Sequence, residues 1–497
     1  MITIDYEQRG RIGFTYVMDL LAPASAYGRQ ALRQLCYARP GEEEALCREL
    51  QNIAKTLAAR PRLEKSYARL TDVFRQVKDI RGSIDGIGGE LGEVDLFELK
   101  RYLLQLVEIA FLFKEINEEA GYHDIAFLDT LPALELLDPE GNRMAAFHVS
   151  GRHSPSLTAV RNEKREVEQQ LRALPAGQAR DALMARRSEL AAREQAEEDV
   201  VRAFLSRELL PWKDAMLQNA EAIGRLDLTI RKTELAAEYG CCMPEIESVG
   251  AAVRFTEMIN PQIEHRLADR GKEKPFTPLS LVLRPGATVL TGANMGGKSV
   301  ALKTLALNVM LIHCGFFPFA REASCPLFDS IHLVSEDLEA ADRGLSSFGS
   351  EIVRLKEVLR EAEKGRALIL LDEFAKGTNP AEGGAIARGV CAHLNAQSAY
   401  TLLTTHYEGV AALAGSHYQV AGLRRMDIAD ILRSTAGAPV EDRLALIARC
   451  MDYGIFPAAG GERPPADAVN ICRLLGLPDD ILNLILKRRS NIPAHQA

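Results

Sequence analysis

The chain reads as an α + α/β protein, in which a helical first half precedes an α/β domain built on a phosphate loop. Three observations predict this. Residues Gly292 to Ser299 fit the pattern G-x-x-x-x-G-K-[ST]. An unbroken apolar run, Ala367-Leu368-Ile369-Leu370-Leu371, ends in Asp372-Glu373. From Gly13 to about Tyr239 the chain shows almost no strand alternation. The expected division is residues 1–240 and 241–497.

The phosphate loop is read from its context. Ala287-Thr288-Val289-Leu290 suits a short buried strand, and Val300 to Ile312 carries apolar residues at helical spacing. A strand, a glycine-rich turn and a helix in that order bring backbone N–H groups and a helix N-terminus to bear on phosphate oxygens. Gly292, Asn294, Met295, Gly296 and Gly297 form the loop. Lys298 is expected to reach the β and γ phosphates, and Ser299 to hold Mg²⁺.

The acidic run suits a central parallel strand whose end meets the nucleotide. Asp372 is then a Mg²⁺ residue acting through water, and Glu373 polarises the attacking water. A further strand, Tyr400 to Thr405, ends at His406, which is placed to sense the γ-phosphate or to orient that water. Phe276 to Leu283 also reads as a strand. Asp342 to Glu351, rich in small and hydroxyl residues ahead of a helical stretch, suits an N-cap and an anion.

The first half is read from periodicity. Leu46, Leu50 and Ile53, and again Leu99, Leu103 and Leu106, recur at i, i+4, i+7. Glycines between Gly82 and Gly92 punctuate two helical blocks, and Leu131 to Arg152 reads as an irregular connection with room for a short strand or two. Residues 156–209 read as a helical hairpin arm: Val167, Leu171 and Leu174 make one stripe, Leu174-Pro175-Ala176-Gly177 breaks it, and Leu183 and Leu190 resume it. Residues 151–193 hold nine Lys/Arg and five Asp/Glu, a local +4 in a chain of −8. Arg161, Lys164, Arg165, Arg186 and Arg187 are candidate DNA phosphate contacts, or else a solvated helix face. Trp212 to Tyr239 reads as the helix that leads back.

Composition sets outer limits. With 47% apolar and 26% charged residues and a charge of −8, the chain is not a globally basic nucleic-acid binder. Its nine cysteines include no C-x-x-C pair and read as thiols rather than a metal clip. The longest apolar stretch, Leu305 to Ala320, is broken by Asn308, His313 and Pro318, so no membrane span is expected. Met1 to Asp5 lacks a signal pattern, and the expected location is cytoplasmic.

Together these motifs resemble the MutS family of ATPases, which is related to the ABC ATPases. Asn294-Met295-Gly296-Gly297-Lys298-Ser299 is similar to that family's phosphate loop. Asp372-Glu373 with Gly377-Thr378 is similar to its Asp-Glu-x-x-x-Gly-Thr element, and Thr405-His406-Tyr407 matches its Thr-His-Tyr. Gly344 to Phe348 resembles its Gly-Arg-Ser-Thr-Phe signature, with Leu345 and Ser347 departing from it. The resemblance implies an ABC-like ATPase domain that takes ATP and Mg²⁺ at a homodimer or heterodimer interface. It further implies that Ser346 and Ser347 reach the γ-phosphate held by the partner subunit, that Phe276 lies near the adenine, and that Gly383-Gly384 allow close approach at the seam. Leu226-Asp227 and Asn260-Pro261 look like landmarks of the same family, as does the late segment Ala468 to Leu486.

The resemblance leaves two roles open. One is a clamp on DNA, related to mismatch repair. The other is a reactivase of an adenosylcobalamin-dependent amino-acid aminomutase, since short MutS-like proteins of this layout include proposed reactivases. Gly28-Arg29-Gln30-Ala31-Leu32 and Gly92 to Lys100 are similar to that group. A mismatch-reading domain with its Phe-x-Glu and an endonuclease tail are both expected to be missing.

Overall fold

The computed structural model describes residues 4–248, 250–269, 276–292, 297–335, 347–422, 451–458, 469, 472–473 and 475–490. The chain divides into two units. One holds Ala22–Leu35 and Asn52–Thr233; the other holds Met1–Leu21, Cys36–Gln51 and Glu234–Ala497.

The regular elements among the first unit's described residues are all helices. Its longest helices are Glu93–Ala120, Pro155–Ala173, Gln178–Glu208 and Lys213–Tyr239, the last running on past Thr233. Leu96, Leu99, Leu103, Leu106 and Ile109 lie buried along Glu93–Ala120 with Phe74, Ile223 and Leu226. That spacing is the 3.6-residue period turned into a buried stripe. The hairpin follows its stripe: Val160, Val167 and Leu190 form a small core of their own, with Leu171 and Leu183 packed on it. Residues 131–152 contain no strand. Leu131–Leu137 is a helix with Pro132 in its first turn and Leu134 and Leu137 buried. Proline at that position gives up an N–H that has no partner in the helix anyway.

Asp227 ties this unit together from inside. It is 1% exposed, and its carboxylate accepts hydrogen bonds from the backbone N–H of Ala24 at 3.1 Å, the N–H of Ser25 at 2.7 Å and the Ser25 hydroxyl at 2.7 Å. A Cβ at Gly28 would stand 2.2 Å from Asp227 Oδ2, so that residue has no room for a side chain.

Among its described residues the second unit contains two sheets. Its strands are β1 Glu245–Glu247, β2 Val253–Met258, β3 Leu279–Leu283, β4 Gly286–Thr291, β5 Glu322–Pro326, β6 Ser330–Val334, β7 Ala367–Leu371, β8 Tyr400–Thr405, β9 Ser416–Gly422 and β10 Asp452–Pro457. The larger sheet has the order β10-β9-β4-β8-β7-β6 and the smaller β1-β5-β2-β3. In the larger sheet every pairing is parallel except β10 with β9. Every residue of β4, β7 and β8 is buried. Such strands read as continuous apolar runs because both faces of a parallel sheet are covered. Thr291 pairs with Thr405, and Leu371 with Leu403, so β4, β7 and β8 end at one edge.

The boundary differs from the expected one. Residues 1–21 and 36–51 group with the α/β unit, because buried polar contacts hold them there. The Gln8 side-chain amide donates to Leu333 O at 2.9 Å, and that of Asn260 to Ile12 O at 2.9 Å. The N–H of Ala38 donates to His313 O at 2.7 Å, while the His313 ring donates back to Ala38 O at 2.8 Å. No helix among the described residues is long and apolar enough to cross a membrane.

Candidate active site

The edge where β4, β7 and β8 end gathers the residues expected to carry the chemistry. Beyond β4, Gly292 and Gly297 have φ of +148° and +88°, which suits glycine. A Cβ at Gly297 would stand 3.2 Å from Tyr453 Cδ1, so this turn packs directly under the Tyr453 ring. Asn294, Met295 and Gly296 lie outside the described residues. Gly297 caps the helix Lys298–His313, whose first N–H groups are left for a ligand.

Lys298 is 3% exposed. Its ammonium donates to Gly292 O at 2.9 Å, closing the turn, and lies 3.2 Å from Glu373 Oε1. Next to it, the Ser299 hydroxyl donates to Asp372 Oδ1 at 2.9 Å. The Thr404 hydroxyl, at the end of β8, donates to the same oxygen at 2.8 Å. It also accepts from the N–H of Glu373 at 2.9 Å. Three separated stretches of sequence thus converge on one acidic pair.

Glu373 is set by opposing effects. Burial pushes its carboxyl up, but a hydrogen bond from Lys376 at 2.9 Å and the Lys298 charge outweigh it and hold the group below the ordinary glutamate range. His406 is pushed down by burial, against the pull of the Glu373 carboxylate, so its ring is neutral at pH 7. Its Nδ1 is buried and has no hydrogen-bond partner among the described residues.

The backbone after β7 is unusual. Glu373 and Ala375 have φ of +47° and +64°. Ala375 is held on both sides: its N–H donates to Glu351 Oε2 at 3.0 Å, and its carbonyl accepts from the Tyr407 hydroxyl at 2.9 Å. Gly383 serves this contact. A Cβ there would stand 2.4 Å from Tyr407 Oη and 2.6 Å from Ala375 O. Gly383 thus allows a close approach within the chain.

Other expected site residues fall elsewhere. Phe276 is 7% exposed, just ahead of β3, which begins at Leu279. Ser346 and the side chain of Ser347 lie outside the description. On the hairpin, Arg161 pairs with Glu194 at 2.9 Å and Glu198 at 2.7 Å, and Lys164 with Glu194 at 2.5 Å. Arg186 pairs with Glu163 and Glu189, and Arg187 with Glu168. Arg165 is exposed. The local +4 was an effect of where the count stopped. Across Pro155–Glu208 ten Lys/Arg meet ten Asp/Glu, because Glu194, Glu197, Glu198 and Asp199 follow at once.

Thr404, Glu351, Lys376 and Tyr407 were not assigned roles from sequence. Thr404 and Tyr407 flank the Thr405-His406 step and were within reach of the motif. Glu351 and Lys376 look like ordinary helix and loop charges until the fold places them.

Residues 288–444 match the family described as MutS domain V. Over that stretch the chain is similar to the MutS family. Among curated relatives, "Endonuclease MutS2" of Thermomicrobium roseum is 31% identical over 301 residues, 59% of this chain and 35% of that protein. "Endonuclease MutS2" of Enterococcus faecalis is 27% identical over 384 residues, 65% of this chain and 47% of that protein. "DNA mismatch repair protein MutS" of Thermus thermophilus is 34% identical over 240 residues, 47% of this chain and 26% of that protein. The chain thus spans less than half the length of these relatives. Lys298, Ser299, Glu351, Asp372, Glu373, Thr404, His406 and Tyr407 all lie inside the MutS domain V match; Phe276 and the hairpin cations lie outside it.

Proposed function

We propose that this chain binds ATP with Mg²⁺ and hydrolyses it to ADP and phosphate. The observation that supports this is the pairing of Lys298 with Glu373 and of Ser299 with Asp372 across the edge of the sheet. Ser299 Oγ and Asp372 Oδ1, 2.9 Å apart, are the hard oxygen donors that suit Mg²⁺. Bound there, the ion would neutralise charge on the phosphate oxygens. The remaining work belongs to the protein. The helix starting at Lys298 turns its N–H groups toward the triphosphate, and Lys298 exchanges Glu373 for the β and γ phosphates. Glu373, ionised, accepts a hydrogen bond from the attacking water and orients it. His406, neutral, offers Nδ1 to the γ-phosphate or that water.

These groups cover one side of the nucleotide. In our reading the other side comes from Ser346 and Ser347 of a second MutS-type subunit, so that hydrolysis is tied to dimer closure. The test is single-turnover hydrolysis measured against protein concentration. The rate constant should fall where sedimentation shows monomers; a constant rate there excludes a shared site.

For the biological role, the name of the Thermus relative supports action on DNA in repair. The charge-balanced hairpin favours a second reading, a client protein such as an aminomutase that the ATPase reactivates. A DNA titration across salt concentrations separates the two, because phosphate contacts give binding a steep salt dependence.

A further inference from the structure

We propose that Glu351 is a positioning residue for hydrolysis, acting through Ala375 on the backbone that carries Glu373. The inference rests on the ATPase reading above. Glu373 and Ala375 are two non-glycine residues in the left-handed region within three positions, with φ of +47° and +64°. Side chains of L residues disfavour that region, so such a stretch persists only where its surroundings hold it.

Three side chains from two separate stretches do so. Thr404 accepts from the Glu373 N–H, Glu351 accepts from the Ala375 N–H, and Tyr407 donates to the Ala375 carbonyl. The centre of this arrangement is packed away from water, with Ala375 and Thr404 0% exposed and Glu351 5% exposed, while Glu373 and Tyr407 are partly exposed. A buried carboxylate is costly, and Glu351 places one of its oxygens on a backbone N–H of a plain alanine. The reason lies two peptide units upstream. Rotation at Ala375 toward ordinary φ turns the Cα–Cβ bond of Glu373 away from Lys298 and from the water it orients. Gly383 keeps the arrangement tight, since any side chain there would displace the Tyr407 hydroxyl.

The experiment uses the full chain with Mg²⁺ and ATP and compares parent, E351A, E351Q, Y407F and E373Q for kcat and KM. E351A should lower kcat by about tenfold, the worth of one well-placed hydrogen bond, with KM within about twofold. E351Q should recover most of the loss, because its amide oxygen accepts the same N–H. Y407F should lower kcat severalfold. An E351Q as slow as E351A, or a loss carried by KM, overturns the inference. If E351A does not fold by circular dichroism, Y407F decides alone, and an unchanged kcat overturns it. E373Q separates the two levels. A parent without turnover defeats the ATPase reading itself, whereas E373Q at the parent rate removes Glu373 from the mechanism and the positioning role with it. An inactive E373Q beside fully active E351A and Y407F defeats only the positioning role.

Discussion

The Lys298 ammonium lies 3.2 Å from Glu373 Oε1, so the residue expected to meet the phosphates is already paired with the residue expected to meet the water. On the ATPase reading, nucleotide displaces a carboxylate to win the lysine. Glu373→Ala should therefore bind ATP at least as tightly as the parent while losing turnover by about 10²-fold or more. Lys298→Ala should weaken binding itself. Fluorescent-nucleotide titration and phosphate release measure the two effects separately. Glu373→Ala at the parent rate would remove Glu373 from the mechanism.

The same pair sets the pH response. Glu373 is held below the ordinary glutamate value, so it is ionised throughout the neutral range. The acid limb of kcat/KM should fall below about pH 4.3. Lys376→Ala removes the hydrogen bond that opposes burial, and the limb should move upward. In stability, the contribution of a depressed carboxyl is present above its unfolded value of about 4.3 and is lost as pH falls through the folded value. His406, neutral by burial, should add no limb near pH 6.5; a limb there would contradict the assignment.

On the hairpin, the cations are no longer equivalent. Arg161 holds Glu194 and Glu198 from the facing helix, so Arg161→Ala should loosen the hairpin by about 1 kcal/mol, visible as faster amide exchange in residues 155–208. Arg165→Ala should leave exchange unchanged. If DNA is the ligand, Arg165→Ala lowers the log–log salt slope by about 0.9. A parent that shows no DNA binding at low salt places the weight on the protein client.

Asp227 should matter to stability alone. Asp227→Ala strands the Ala24 and Ser25 N–H groups in a buried site, at a cost of about 2–4 kcal/mol. Far-UV circular dichroism in urea should show it, and the Lys298–Glu373 pair should keep its pH profile.

How much of this was legible follows from what each residue depends on. The run Ala367–Leu371 was readable because a strand covered on both faces favours apolar residues, and the strand Tyr400–Thr405 because aromatic and β-branched residues favour strands, both local properties. The turn after β4 was readable at Gly292 and Gly297, whose positive φ answers to backbone geometry. The four-stranded sheet was not foreseen: β1 has three residues, and β2 and β5 take their partners from distant parts of the chain. Thr404 stands next to the Thr405-His406 step, but its role shows only in the fold, where its hydroxyl meets Asp372 and Glu373, 32 and 31 positions away. The hairpin was found in outline, yet its charge was misjudged, because the balancing carboxylates sit on the helix that faces the cations.

The contact between Gln8 and Leu333 spans 325 positions, and it bears on how the chain comes off the ribosome. The α/β unit draws on Met1–Leu21, then Cys36–Gln51, then everything after Thr233. Its earliest segments emerge long before their partners exist. At about 5–20 residues per second, crossing the intervening helical stretch alone takes on the order of ten seconds or more. The helical unit, by contrast, is complete as soon as Thr233 is made. The order of folding during synthesis should therefore run against the order of the sequence's first residues, with the amphipathic start of the chain left waiting and open to chaperones until β6 arrives.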